Sequence, residues 1–252
     1  MLEPWQLALL FLTGLVAGFV DAIAGGGGLI TLPVMLSCGF DPQTALGTNK
    51  LQAVFGSGSA SWQYTRAGVV KLPDCARGFA ITFVAAIAGS WAVQRLDPVL
   101  LRRAIPIVLV LIALYVLLKP ALGEADAPAR MSRTHFDLLF GGLLGFYDGF
   151  LGPGTGTFWT TAFVLCLGFN LTRATGCTKV MNFASNLSSL GLFLFRKKVL
   201  FIPGLAMGAG QLFGARLGAS MVVQRGARFI RPIFITVVLA ITVKLIYDVY
   251  AQ

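Results

Sequence analysis

A lone carboxylate followed by a run of glycines occurs twice inside long apolar stretches of this chain. Gly18-Phe19-Val20-Asp21 leads to Gly25-Gly26-Gly27-Gly28, and Gly145-Phe146-Tyr147-Asp148 leads to Gly152-Pro153-Gly154-Thr155-Gly156. Glycine interrupts a helix and an ionised carboxylate is costly in hydrocarbon, so each stretch reads as an apolar helix broken at a polar point. A second echo follows each break, Gly47-Thr48-Asn49-Lys50 after the first and Gly176-Cys177-Thr178-Lys179 after the second. Interrupted hydrophobic segments at matching positions of two halves point to a transporter-type binding site.

Composition fixes the solvent of the fold. The 252 residues are 56% hydrophobic and 12% charged, with mean hydropathy +0.80, whereas soluble domains have roughly 45–50% apolar and about 25% charged residues. Apolar windows close to the span of a bilayer recur, as at Ile105 to Leu118 and Ile233 to Ile246, without the alternation a membrane β-barrel needs. The expected class is all-α, a polytopic helical membrane protein with about eight transmembrane segments. Formal net charge is +10, but the basic residues gather between apolar runs, at Arg66 and Lys71, Arg95 to Arg103, Arg196-Lys197-Lys198 and Arg225 to Arg231. Such positions suit lipid headgroups and orientation signals, not nucleic acid. Cys38, Cys75, Cys166, Cys177 and the single histidine, His135, lack metal-ligand spacing, so neither a metal nor a cofactor is expected. Trp5 to Val20 lacks a basic leader and a small-residue cleavage site, and is expected to stay as the first membrane helix.

Each half reads as five apolar segments, at about 5–24, 29–38, 44–65, 76–94 and 98–118, then 134–151, 156–167, 172–195, 200–223 and 232–250. Asp148 lies 148 − 21 = 127 residues after Asp21, and Lys179 lies 179 − 50 = 129 after Lys50, so the register of a duplication survives with about two residues inserted. The polar stretch Lys119 to Arg133, with Pro120, Gly123 and Pro128, is read as a surface linker. The predicted organisation is therefore a first transmembrane repeat at 1–118, a linker at 119–133 and a second repeat at 134–252. The segment containing Leu29 to Cys38 is only about half of a membrane-spanning helix. Counted as a half-helix, it gives each half an odd number of crossings, which favours inverted repeats over eight full helices in parallel halves.

The same residues supply the candidate site. Gly25, Gly26, Gly27, Gly28, Gly152 and Gly154 leave backbone amides uncovered, Thr155 follows them, and helix starts beyond the breaks would aim positive dipole ends inward. Close helix packing through small residues is the competing role. The third segment of each half carries a polar stripe, Thr48, Gln52, Gly56, Ser59 and Gln63 in one, Thr178, Asn182, Ser185 and Ser189 with Asn186 at the edge in the other. With Asn49, these neutral groups could replace water around a small anion, or simply bond helix to helix. Lys50 and Lys179 are candidate anion attractors, Lys179 lying closer to its stripe; either could instead snorkel to the interface. Asp21 and Asp148 fit proton coupling and capping of the breaks about equally well.

At these motifs the chain resembles the TauE/SafE family, also called the toluene sulfonate uptake permease family, and within it the YfcA-like branch. The resemblance is carried by the run from Gly18 to Gly28, Pro33, the run from Ala45 to Gln52 and the run from Gly145 to Pro153, and it covers essentially the whole chain. It implies a multi-pass protein of the bacterial inner membrane that transports small sulfur-containing anions such as sulfite or organosulfonates. Cys177 stands where the first half has Thr48 under the later offset, and Thr155-Gly156 where it has Gly28-Leu29 under the earlier one, so the half-sites are expected to differ chemically.

The expected function is a secondary transporter, an exporter of such anions, working by alternating access between the repeats. A passive anion channel, or a carrier of another small carboxylate-type anion, is the alternative. No nucleotide-binding loop and no nucleophile elbow occurs, so ATP drive within the chain and enzymatic activity are not expected. The expected partners are the small anion and membrane lipid, with a proton or sodium ion as candidate coupling ion and a homodimer as candidate assembly.

Overall fold

The computed structural model describes residues 3–118 and 125–226. Among them the chain forms α-helices α1 Pro4–Ala24, α2 Gly27–Ser37, α3 Pro42–Arg66, α4 Leu72–Val93, α5 Pro98–Leu118, α6 Arg133–Phe150, α7 Thr155–Leu167, α8 Leu171–Phe195 and α9 Phe201–Arg225, and no strand. The protein is an all-α membrane protein. The expected segment at 232–250 and residues 119–124 of the expected linker lie outside the described residues.

Local chemistry sets the starts. Asp41 accepts from Thr44 N ahead of Pro42 at the first turn of α3, and Ser132 and Asn170 accept from His135 N and Arg173 N ahead of α6 and α8, satisfying amides that a helix start leaves orphaned. Helix α2 begins earlier than expected, at Gly27, because the Asp21 carboxylate accepts from Gly27 N at 3.0 Å. The end of the linker is also better tied than a loose surface connection. Ala127 N donates to Gly168 O at 2.7 Å and Arg130 N to Cys166 O at 2.9 Å, while Asp126 Oδ1 accepts from Asn170 N at 2.7 Å. The stretch thereby clasps the corner between α7 and α8.

Contacts fix the sense of each helix. Leu15 meets Gly214 and Phe19 meets Gly218, so α1 and α9 advance together; Gly145 against Thr82 and Gly149 against Ala86 give α6 and α4 the same parallel relation. Helix α3 runs with α9, Thr48 meeting Leu200 and Ser59 meeting Leu212, and against α8, Gly47 meeting Phe193 and Gly176 meeting Tyr64. Helix α4 runs with α8 through Cys75 with Cys177 and Thr82 with Met181. Thus α1, α3 and α9 point one way and α4, α6 and α8 the other. In chain order α1, α3 and α4 correspond to α6, α8 and α9, so every counterpart is reversed, which is the inverted-repeat topology. The short α2 folds back between α1 and α3, with Thr31 bonded to Asn49, and α7 folds back onto α8 through Thr160 and Thr178.

Polarity is arranged for a bilayer. Helices α3 and α8 have 25 residues each, about 37 Å at 1.5 Å per residue, enough to cross roughly 30 Å of hydrocarbon. They run through the centre, where Thr48, Asn49, Lys50, Gln52, Thr178, Lys179, Asn182 and Ser185 are buried. Leu12, Val84, Leu143 and Leu217 face outward. Helices Pro4–Ala24 and Leu72–Val93 contain windows of mean hydropathy 2.2 and 1.5, sufficient to span by themselves. An apolar exterior around a polar interior is the reverse of a soluble fold.

Candidate functional site

The two breaks meet. Gly25 at the end of α1 has φ +76°, and a Cβ there would overlap the backbone of Gly156; a Cβ on Gly156 would lie 2.6 Å from Gly25 Cα. Only glycine at both positions lets the chains approach this closely. Thr157, in the first turn of α7, donates to Ala24 O at 2.9 Å and Gly25 O at 3.0 Å. One half thus satisfies carbonyls that the other half's broken helix leaves exposed, as interrupted helices in membranes require. In the same way Ser90 Oγ of the first half donates to Gly149 O of the second at 3.1 Å, while within the first half Tyr64 Oη donates to Ala22 O at 2.9 Å.

The charges are crossed between halves. Lys50 Nζ lies 2.8 Å from Asp148 Oδ1 and Lys179 Nζ 2.9 Å from Asp21 Oδ2. Each lysine therefore pairs with the aspartate of the opposite half, and the four formal charges cancel. The two pairs are unequal. Asp21 spends its other oxygen on Gly27 N and its side chain is 21% exposed, whereas that of Asp148 is 5% exposed and also accepts from Ser185 Oγ. Lys50 additionally donates to the Asp148 carbonyl. At the first break the Asp21 carboxylate accepts from Gly27 N, while at the second the Lys50 ammonium donates to the Asp148 carbonyl. Neither lysine snorkels, since Lys50 is 1% and Lys179 0% exposed.

Between the breaks lies a cavity of about 40 Å³, room for a few water-sized atoms. It is lined by Gly25, Gly26, Gly27, Gly28, Gly152, Gly154 and Thr155, by Asn49, Gln52, Asn182 and Asn186, and by Asp21 and Asp148. The half-helices α2 and α7 both begin at this cavity, at Gly27 and Thr155, so two positive helix ends converge there. Asn49 Oδ1 accepts from Thr31 Oγ1 at 2.6 Å and Gln52 Nε2 at 2.7 Å, which fixes the amides of α3. Gln52 Oε1 and Asn182 Oδ1 are buried without a hydrogen-bond partner, polar capacity that a small ligand or water would meet.

Four expected residues lie outside the cavity lining. Thr48 Oγ1 accepts from Leu200 N at 3.0 Å, holding the start of α9. Thr178 Oγ1 contacts Ala174 O at 2.8 Å and Thr160 Oγ1 at 3.1 Å, so it joins helix to helix. Lys50 and Lys179 are directed at the aspartates and stand behind the lining. Gly156, the last residue of the second glycine-rich break, lines the cavity as well, and so do Ala53 and Gln211, which no sequence motif marks. Gln211 comes from α9, where it reaches inward over Gly56. It sits 211 − 82 = 129 residues after Thr82, the later offset of the duplication, but Thr82 is not part of the lining.

The family model described as "Sulfite exporter TauE/SafE" matches residues 10–245. The chain is 44% identical over 252 residues to "Probable membrane transporter protein YfcA" of Escherichia coli, covering 100% of this chain and 94% of that protein. It is 46% identical over 242 residues to a "Probable membrane transporter protein" of Haemophilus influenzae, covering 96% and 95%. Similarity extends to "Probable membrane transporter protein YunE" of Bacillus subtilis, 23% identical over 268 residues and covering 96% and 98%. No solved structure matches the chain significantly.

Proposed function

Because this chain belongs to the TauE/SafE family of membrane transporters, we propose that it is a secondary transporter of the bacterial inner membrane that exports small sulfur-containing oxyanions such as sulfite or organosulfonates. The observation that carries this reading is the convergence of two opposed half-helix starts on one small cavity lined by glycines and neutral amides, with the two aspartates in its wall each paired to a lysine. Both lysines are already neutralised by aspartates. An oxyanion in the cavity would be held by amide dipoles without a dedicated counter-charge, which favours release as well as binding. The reversed halves rock against each other around the breaks, opening the cavity to alternate sides.

The test is flux of radiolabelled sulfite in proteoliposomes, with sulfate, thiosulfate, sulfoacetate and small carboxylates as competitors. Saturation and counterflow are expected, with competition by sulfur oxyanions. Competition by a carboxylate alone would remove the substrate assignment, and linear flux without counterflow would make the protein a channel. An imposed pH gradient is expected to drive flux less in Asp21→Asn than in the wild type, since Asp21 is the more accessible carboxylate. Unchanged gradient dependence in both Asp21→Asn and Asp148→Asn would exclude proton coupling through these groups.

A further inference from the structure

A second cavity, of about 240 Å³, opens where α4, α6 and α8 begin and shares no lining residue with the first. Three cations line it: Lys71 ahead of α4, Arg133 at the first position of α6 and Arg173 in the first turn of α8. One carboxylate, Asp74, lines it too. Arg133 uses Nε on Asp137 Oδ1 at 2.9 Å, yet its Nη2 is buried with no hydrogen-bond partner. Arg173 lies over the Phe169 ring at 3.9 Å, and among the described residues neither it nor Lys71 forms a salt bridge. Even with Asp74 and Asp137 counted, the group keeps a formal charge of 3 − 2 = +1.

Guanidinium and ammonium groups only donate hydrogen bonds, so an unpaired buried Nη2 is satisfied only by an acceptor. The contact with Phe169 engages a face of the Arg173 guanidinium and no N–H donor, so its N–H groups stay available to an oxyanion. We propose that this cavity is an oxyanion-binding site, taking a phosphate-type group with Arg133 Nη2, Arg173 and Lys71 as its donors. The group comes either from free phosphate or from the headgroup of an anionic phospholipid, since the cavity lies at the end of the bundle where helices start. Its occupant would touch α4 of the first half and α6 and α8 of the second, and so would bias how the halves sit against each other.

Purified full-length protein is titrated with inorganic phosphate by calorimetry at constant ionic strength, and separately examined by native mass spectrometry after exchange into phosphatidylglycerol. The expected result is either a saturable phosphate isotherm or a retained phosphatidylglycerol, whichever the source. Arg173→Gln and Lys71→Gln should each weaken it about tenfold, the loss typical of a charge-assisted bond. Asn182→Ala, in the other cavity, should leave it unchanged, which separates this site from anion binding at the breaks. Arg133→Gln also strands buried Asp137, so the other two variants carry the test. Binding absent in both arms, equal in wild type and Arg173→Gln, or abolished by Asn182→Ala would overturn the proposal. A failure of sulfite flux would leave it untouched.

Discussion

A buried lysine is tolerable only because a carboxylate stands beside it, and Lys50 is the more demanding of the two here. Its partner Asp148 is sealed and bonded three ways, whereas Asp21 retains some exposure. Removing one member of a buried pair costs about 3–5 kcal/mol because the other charge is left unmatched. Asp148→Asn is therefore expected to destabilise more than Asp21→Asn, as read by thermal unfolding in detergent. The double variant Lys50→Met/Asp148→Leu should recover most of that loss. Equal losses for the two single aspartate variants would contradict the asymmetry. Both aspartates and both lysines were legible in the sequence as charges in apolar runs. Which lysine answers which aspartate was not, because periodicity gives a residue's angle on its own helix and says nothing of the helix across from it. For the same reason Thr48 and Thr178 shared a stripe with Gln52 and Asn182 yet serve Leu200 N and Thr160 instead.

At the scale of elements, the large interfaces between halves are made by glycine. Gly14 and Gly18 on α1 meet the backbone of α9 at Met207 and Gln211, and Gly210, Gly214 and Gly218 on α9 meet α1 in return. A Cβ at Gly214 would overlap the Leu15 carbonyl, so Gly214→Ala must push two helices apart, at about 1–3 kcal/mol. Gly191→Ala on α8 meets nothing within 4 Å, and should gain up to about 1 kcal/mol of helix propensity. Unfolding in detergent of the two variants should move in opposite directions. The sequence announced the glycine breaks clearly, because a run of four glycines after a lone aspartate is unusual and a glycine-rich Gly-Pro-Gly-Thr-Gly follows the matching aspartate in the second half. It gave little sign of Gln211, one of several polar residues on a glycine-rich helix, whose counterpart Thr82 lies away from the cavity.

For the molecule as a whole, helix boundaries follow closely from segment lengths, whereas the reversal of the halves, one of two readings the lengths allowed, is read from how the helices pack. What lengths could not convey is that α4 of one half packs along α8 of the other. The thiols of Cys75 and Cys177 lie 4.0 Å apart across that contact. Mild oxidation with copper phenanthroline should join them, and if transport requires the halves to move past each other, flux should stop and return on adding dithiothreitol. Cys177→Ser should keep its flux throughout. A cross-linked protein that transports at the wild-type rate would exclude relative motion of α4 and α8. Gln52→Leu and Asn182→Leu, which replace cavity amides, are expected to lower flux about tenfold or more, with unfolding shifted little; intact flux would move the binding site elsewhere.

The crossed Lys–Asp pairs carry a consequence for descent. Neither half contains the answer to its own charges, so an ancestral single half would have been complete only beside an identical copy inserted upside down, its lysine meeting the other's aspartate twice over. Within one chain the exchange makes each half depend on the other: a change at Asp21 leaves Lys179 unmatched and one at Asp148 leaves Lys50 unmatched, so substitutions in one half are expected to be tolerated only with an answering change in the other.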